Sequence, residues 1–512
     1  MEGSPLSDRL TRRSASFIGG FALAGRVIER AGVFGQILLI AAFFGATTEA
    51  DLYFIASIVP LTFGGIIGGA LHASILPSLA RLRGDDVQGL VRAGFWVSIT
   101  LLGSATLVYV AVAAVVVTVA EPAGSDSLAP WLAFAPVGTL LGLGAYLAAV
   151  LLRLERYVWP PFRTATATFM GLGLSALALV LGGGVVWVAL AVSAGYGVAL
   201  VLLVIEVAAT AGVGAFGAPS RHALRDLFAL RQRFATALLG GAIGGQVFVF
   251  IERALAASLG AGAVSAISYG RGVAFTPAVV AESVALGLYP GMLRAHAERR
   301  LDYLRGYFIS GLRVTLLIGL ATAAMLVLYS GSIARLLFGH GRLTSTSIID
   351  VDHALAAFSV GVVGSMLMIL TARTFSAIDQ FRGIVGSQTC ALVLYVPLGL
   401  LLRSQLGTTG LALAFGLAEL AGATFGVGLT ARWLDVRLGE IARQVVLPVV
   451  VRAAVIFGAL AAFRFGVTPR SDVVELAGAA LVGVSVGICL LWWSDWPELD
   501  RLRSFARRFS LS

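Results

Sequence analysis

The sequence predicts an all-α integral membrane protein with about fourteen transmembrane helices, on three observations. Hydrophobic residues fill 58% of the 512 positions and charged residues only 12%, roughly half the charged share of a soluble domain. Apolar runs of about 20 residues recur along nearly the whole chain, each long enough to cross a hydrocarbon core of ~30 Å. The arginines gather between these runs on alternate sides, the pattern of positive-inside sorting. The mean hydropathy of +0.93 agrees with this class. So do the 62 glycines, because small residues let membrane helices approach closely.

Each span is justified by the arginines that bound it. The first, 15–44, follows Arg9, Arg12 and Arg13, and the second covers 50–80. Arg81, Arg83 and Arg92 separate it from 93–120, and 128–152 returns the chain to Arg153, Arg156 and Arg163. Spans 160–182 and 185–210 lead to Arg221, Arg225, Arg231 and Arg233. The pair 234–259 and 263–292 ends at Arg294, Arg299, Arg300 and Arg305. Spans 306–338 and 353–375 reach Arg373 and Arg382, and 384–402 and 408–431 reach Arg432, Arg437 and Arg443. The last pair, 445–465 and 474–494, precedes a tail with Arg501, Arg503, Arg507 and Arg508. The other side carries only Arg335, Arg342, Arg403, Arg464 and Arg470. Both termini are therefore expected in the cytoplasm, with an even number of spans. The Arg-bearing start runs into a long span without a small-residue cleavage site, so no cleaved signal peptide is expected.

The same residues exclude several functions. The net charge is +10, yet every basic residue is arginine and lies between spans or inside them, so nucleic acid is not an expected partner. Without lysine there is neither a Walker A phosphate loop nor a Schiff-base nucleophile. Cys390 and Cys489 lie in apolar runs and read as interior residues. His72 reads as a satisfied interior histidine, and His222, His296, His340 and His353 have no metal-ligand spacing. No catalytic constellation is present, and neither a metal, a cofactor nor an enzymatic activity is expected.

The chain also repeats. Leu76-Pro77-Ser78-Leu79, a charged loop and Leu90-Val91-Arg92-Ala93-Gly94-Phe95 correspond to Tyr289-Pro290-Gly291-Met292, a charged loop and Tyr303-Leu304-Arg305-Gly306-Tyr307-Phe308. Phe134 precedes Glu155 by 21 residues, as Phe358 precedes Asp379. These matches, at offsets of 213 to 224 residues, predict two six-span lobes of like orientation. The expected division is 1–212, 213–440, and two additional helices with a cytoplasmic tail over 441–512.

Six arginines fall inside spans: Arg26, Arg30, Arg253, Arg271, Arg313 and Arg452. Each needs a partner, a watery cavity or an escape to the interface. Arg26, Glu29 and Arg30 share one helix face at i, i+3 and i+4, with Gln36 farther along. They form either a neutralised pair at the membrane rim or the cationic wall of an internal cavity. Glu252 and Arg253 are adjacent, so they point about 100° apart and face different neighbours. They serve either as interhelical ties or, with Arg271 in the cavity, as a cation or proton site at Glu252; Asp379 is a second ion-site candidate. Under the repeat, the first and seventh spans correspond, as do the second and eighth, so these charges are expected to meet in a cleft suited to an anionic headgroup. Arg313 and Arg452 are expected to snorkel.

The run Phe44-Gly45-Ala46-Thr47-Thr48-Glu49-Ala50-Asp51-Leu52-Tyr53-Phe54, with Pro60 and Pro77, resembles the lipid II flippases (MurJ, formerly MviN). Ser268-Tyr269-Gly270-Arg271, Leu286-Gly287-Leu288-Tyr289-Pro290 and Leu337-Phe338-Gly339-His340-Gly341-Arg342-Leu343-Thr344 resemble them too, as do Ala356–Gly361 and Ala372–Ala377. The resemblance covers most of the chain. It implies membership of the multidrug/oligosaccharidyl-lipid/polysaccharide exporter superfamily, with two lobes in a V shape, a central cationic cavity and a groove for the polyprenyl tail on the two extra helices. It also implies alternating-access transport of lipid II in the bacterial cytoplasmic membrane, in the service of peptidoglycan synthesis, cell-wall biogenesis and cell shape. Arg30 and Arg271 match cavity arginines of the family and Asp51 an acid near the outer mouth, while two further cavity arginines fall at Gln36 and Gly64. The implied partners are lipid II or a related lipid-linked oligosaccharide, membrane lipids, Na+ or H+ as coupling ion, and the cell-wall synthesis machinery. The alternatives are a flippase for another polyprenyl-linked glycan and an ion-coupled exporter of small cations, the latter disfavoured by an arginine-lined cavity.

Overall fold

The computed structural model describes residues 5–79, 85–120, 128–154, 156, 159–229, 247–467 and 471–492. Their regular structure is helical throughout: α1 (Pro5–Phe44), α2 (Thr48–Leu79), α3 (Asp85–Ala120), α4 (Leu128–Arg153), α5 (Trp159–Val180) and α6 (Val185–Ala211). A 3-10 turn, Val213–Phe216, leads to the short amphipathic α7 (Arg221–Ala229). Then come α8 (Val247–Ala257), α9 (Ala263–Ala274), α10 (Ala278–Ala297), α11 (Leu301–Phe338), α12 (Ser345–Ala377) and α13 (Phe381–Trp433). The chain closes with α14 (Leu438–Gly466), which contains a π turn at Ala442–Val446, and α15 (Asp472–Trp492).

Eleven of the described helices are long and apolar enough to cross a membrane, and α9 with α10 makes a twelfth span bent by 45°. Pro277 sits at that bend, where its missing N–H and fixed φ interrupt the helical ladder. The 53 residues of α13 would stretch about 80 Å, more than twice the need of one span. Gly407 divides it, with φ 56° and ψ −131°, a conformation that a side chain disfavours. Both spans expected at 384–402 and 408–431 therefore lie within α13. The seventh expected span, 234–259, is represented by α8; its residues up to 246 lie outside the described set.

Small residues set the helix spacing. A Cβ on Gly64 would stand 2.5 Å from the Gly138 carbonyl oxygen, and one on Gly68 2.8 Å from Gly142 Cα. The four glycines form one seam between α2 and α4, spaced so that each pair occupies a single helix face. Across α12 and α13, Gly364 lies against the Leu420 backbone nitrogen and Gly361 against Gly416 Cα.

Contacts divide the chain into two compact units, Met1–Tyr269 and Gly270–Ser512. Where the sequence repeat divides the chain at 212, the contact boundary falls within α9. The first half of α9 is tied to the α1–α2 turn. Asp51 Oδ2 accepts from the Gly262 N–H at 2.6 Å and Oδ1 from the Ser265 N–H at 2.7 Å, while the Tyr269 hydroxyl donates to the Gly45 carbonyl at 2.5 Å.

In the second unit, α14 and α15 pack on each other and on α11. One end of all three is polar. Arg335 pairs with Asp472 at 3.0 Å, Arg464 pairs with Glu475, and the Ser332 hydroxyl donates to the other Glu475 oxygen at 2.8 Å. Tyr329 donates to the Leu460 carbonyl at 2.8 Å and lies under the Arg464 guanidinium.

Candidate functional site

The first unit holds most of the residues singled out in the sequence, among them Arg26, Glu29, Arg30, Gln36, Asp51 and Glu252. Arg26 is exposed and donates to Glu29 at 3.1 Å, and Glu29 also accepts from the Thr164 hydroxyl of α5 at 2.9 Å. The i, i+3 pair forms as the spacing predicts, and α5 joins it. Arg163, counted with the loop arginines, is in fact part of α5, with one guanidinium nitrogen on the Leu141 carbonyl at 3.4 Å. Arg30 is exposed, one turn beyond Arg26. Gln36 is buried and donates to Ser175 at 3.2 Å, so at this point α1 is bound to α5 by a neutral hydrogen bond.

Asp51 is 7% exposed and spans two backbone N–H groups at the start of α9. An anion suits that position, where the unpaired amides and the helix dipole both favour negative charge. Gly262 at φ 86° makes the approach possible, because a Cβ there would stand 2.6 Å from the Ala46 carbonyl oxygen. In this arrangement both carboxylate oxygens of Asp51 are engaged with backbone.

Glu252 and Arg253 do face different neighbours. Glu252 is fully buried among Phe248 and Ala256 of its own helix face, whereas Arg253 donates to the Phe54 carbonyl and lies 5.4 Å from the Phe54 ring. Asp379 is exposed at the turn between α12 and α13, in a left-handed conformation with φ 56°. His72 is bonded through Nδ1 to the Ala145 carbonyl at 3.3 Å, the satisfied interior role expected of it.

The second unit builds its site around Arg271, in the last turn of α9 just before the bend. The guanidinium lies 4.1 Å from the Phe415 ring centroid and 5.4 Å from that of Phe275. Phe275, Phe358 and Phe415 form an edge-to-face triangle, with centroids 5.5 to 5.8 Å apart. Edge-to-face packing is a favoured arrangement of aromatic rings, and the ring face of Phe415 attracts the guanidinium stacked on it. Glu419 follows Phe415 by one helical turn and is 6% exposed. Its Oε2 has no hydrogen-bond partner among the described residues, and Arg271 is the charged group that acts on it. Sequence reasoning followed the membrane arginines and passed over this acid. Its signal was there: a lone carboxylate within Leu411–Gly428, where every other residue is apolar or small and neutral.

Comparison with known proteins places these features in a family. The profile of the family described as lipid II flippase MurJ matches residues 40–480. A "Lipid II flippase MurJ" of Burkholderia cenocepacia is 27% identical over 172 residues, 33% of each chain. The alignments with such curated relatives thus span about a third of their length. A solved "Lipid II flippase MurJ, inward closed conformation" superposes with a TM-score of 0.76 at 14% identity, covering 91% of this chain and 97% of that one. An inward-facing multidrug resistance MATE family transporter of the MOP superfamily gives 0.68 at 16% identity, over 80% and 94%. At these identities the structural likeness carries the fold.

Proposed function

The chain belongs to the lipid II flippase MurJ family, and from that premise we propose that it translocates lipid II across the bacterial cytoplasmic membrane by alternating access. The observation that carries the reading to a ligand is Arg271, an arginine held on an aromatic face inside a membrane protein. A fixed guanidinium suits the diphosphate of a polyprenyl-linked precursor, because its planar fork matches phosphate oxygens. In this reading Arg26, Glu29, Arg30, Gln36 and Asp51 belong to the same path, with the polyprenyl tail left in lipid. Both termini are cytoplasmic, and the working parts are the lobes 1–212 and 213–440 and the helix pair from 441. The membrane potential or a gradient of Na+ or H+ drives the cycle, with buried Glu252 as the ion-coupling group. Asp379, exposed at its turn, is a weaker candidate for that role. The precursor would be handed on to cell-wall synthesis enzymes at the outer face.

Depletion of the protein in its native host, with lipid II followed on both leaflets, tests this. Lipid II is expected to accumulate on the cytoplasmic leaflet; an unchanged distribution overturns the reading. Arg271→Ala should lower transport at least tenfold while the purified protein keeps its thermal unfolding profile. A second reading, a flippase for a different polyprenyl-linked glycan, is favoured by Gln36 and Gly64, which stand where related proteins are expected to carry arginines. Its mark is loss of another surface polymer with lipid II distribution intact.

A further inference from the structure

The surroundings of Arg271 hold a group that a simple anion receptor lacks. Glu419 is 6% exposed, and its Oε2 has no hydrogen-bond partner among the described residues. Leaving a buried carboxylate oxygen unsatisfied costs free energy, so the acid persists only where something else favours it. It stands four residues after Phe415, on the same face of α13. That face carries the Arg271 guanidinium, 4.1 Å from the Phe415 ring. The turn is held closely. Gly364 of α12 lies against the backbone of Glu419 and Leu420, too near for a side chain, so α13 cannot readily turn Glu419 away.

We propose that Glu419 is the resident counter-anion of Arg271, balancing its charge while the site is empty and opposing the diphosphate headgroup once it is bound. The inference rests on the reading of Arg271 as the headgroup receptor. A receptor with only positive charge binds a diphosphate tightly and releases it slowly. A transporter must also let go, and turnover falls when the bound state is too deep. A fixed carboxylate one helical turn from the ring that carries the guanidinium raises the energy of the loaded site and speeds release. It also rejects ligands of low charge, since a weak anion cannot outweigh Glu419 for the guanidinium's field. Glu419 thus acts as a positioning and specificity residue, working through Arg271.

Binding of farnesyl diphosphate and of farnesol to the purified full chain in lipid nanodiscs tests the proposal, in wild type, Arg271→Ala, Glu419→Gln, Glu419→Asp and the Arg271→Ala/Glu419→Gln double variant. Wild type should bind the diphosphate and Arg271→Ala should not; equal binding by these two overturns the headgroup reading itself. Given that difference, Glu419→Gln should bind the diphosphate about tenfold more tightly, one charge interaction of about 1.4 kcal/mol. It should also dissociate more slowly, Glu419→Asp should resemble wild type, and the double variant should match Arg271→Ala. Farnesol affinity should not change. Unchanged or weaker diphosphate binding by Glu419→Gln, with Arg271 still required, overturns the counter-anion role alone. Loss of the folded protein in both Glu419→Gln and the Arg271→Ala/Glu419→Gln double variant marks the carboxylate as structural and overturns it as well.

Discussion

Gly64 shows how one residue can decide what a site contains. The resemblance leads to an arginine at this position, and the structure gives the reason that none is present: the Gly138 carbonyl oxygen lies only 2.5 Å from where a Cβ would be. A longer side chain there would push α2 from α4, so this cation is traded for helix contact. Gly64→Ala is expected to cost about 1–3 kcal/mol, as overpacking does elsewhere, read as a lower unfolding temperature in detergent. Gly65, with open space around it, should accept alanine with little change. Gln36 is a milder case, because its bond to Ser175 holds α1 to α5 without charge. Asp51→Asn is a sharper probe. An amide NH2 would face one of the two backbone N–H donors at the start of α9, leaving that donor unsatisfied at a cost of about 1–3 kcal/mol. Hydrogen exchange should then accelerate over Gly262–Ser268 before it does elsewhere.

Among the elements, the C-terminal pair is the most clearly fastened. Glu475 is 5% exposed and receives both Arg464 and the Ser332 hydroxyl, so α15 is bound to α14 and α11 at a single carboxylate. Removing Arg464 leaves a buried charge with one hydroxyl, a loss of about 2 kcal/mol, below the range for fully buried pairs because Arg464 is itself a third exposed. Arg464→Ala should therefore loosen α15, seen as faster proteolysis near residue 471. Arg464→Ala/Glu475→Gln should recover part of the loss, because the stranded charge is then gone. Gly407 is the opposite kind of feature, a free joint with nothing within 4 Å of a would-be Cβ. Its constraint is only its positive φ, so Gly407→Ala should cost about 1 kcal/mol without altering either half of α13.

At the scale of the whole molecule, the membrane-spanning helical class was legible because a bilayer punishes every unpaired backbone group and demands long apolar runs. Arg335, Arg464 and the acids of α15 come together at one end of three helices, as alternation of those segments requires. Single cysteines at Arg299 and Gly341, in a background without Cys390 and Cys489, should react with a membrane-impermeant maleimide from opposite sides of sealed vesicles. What stayed hidden was pairing. Nothing in Gly64 or Gly138 says that the two will touch, since 62 glycines offer many registers. Glu419 looks like a stray acid until folding sets the Arg271 guanidinium over the ring of Phe415, one helical turn before it. The Asp51 clamp carries the same distance into time. Its partners follow 211 and 214 residues later, so at roughly 5–20 residues per second the ribosome takes about 10–40 s to deliver them. Throughout that interval the nascent α1–α2 hairpin must rest at the translocon with its carboxylate uncapped, and any chain cut short before Gly262 remains in that state.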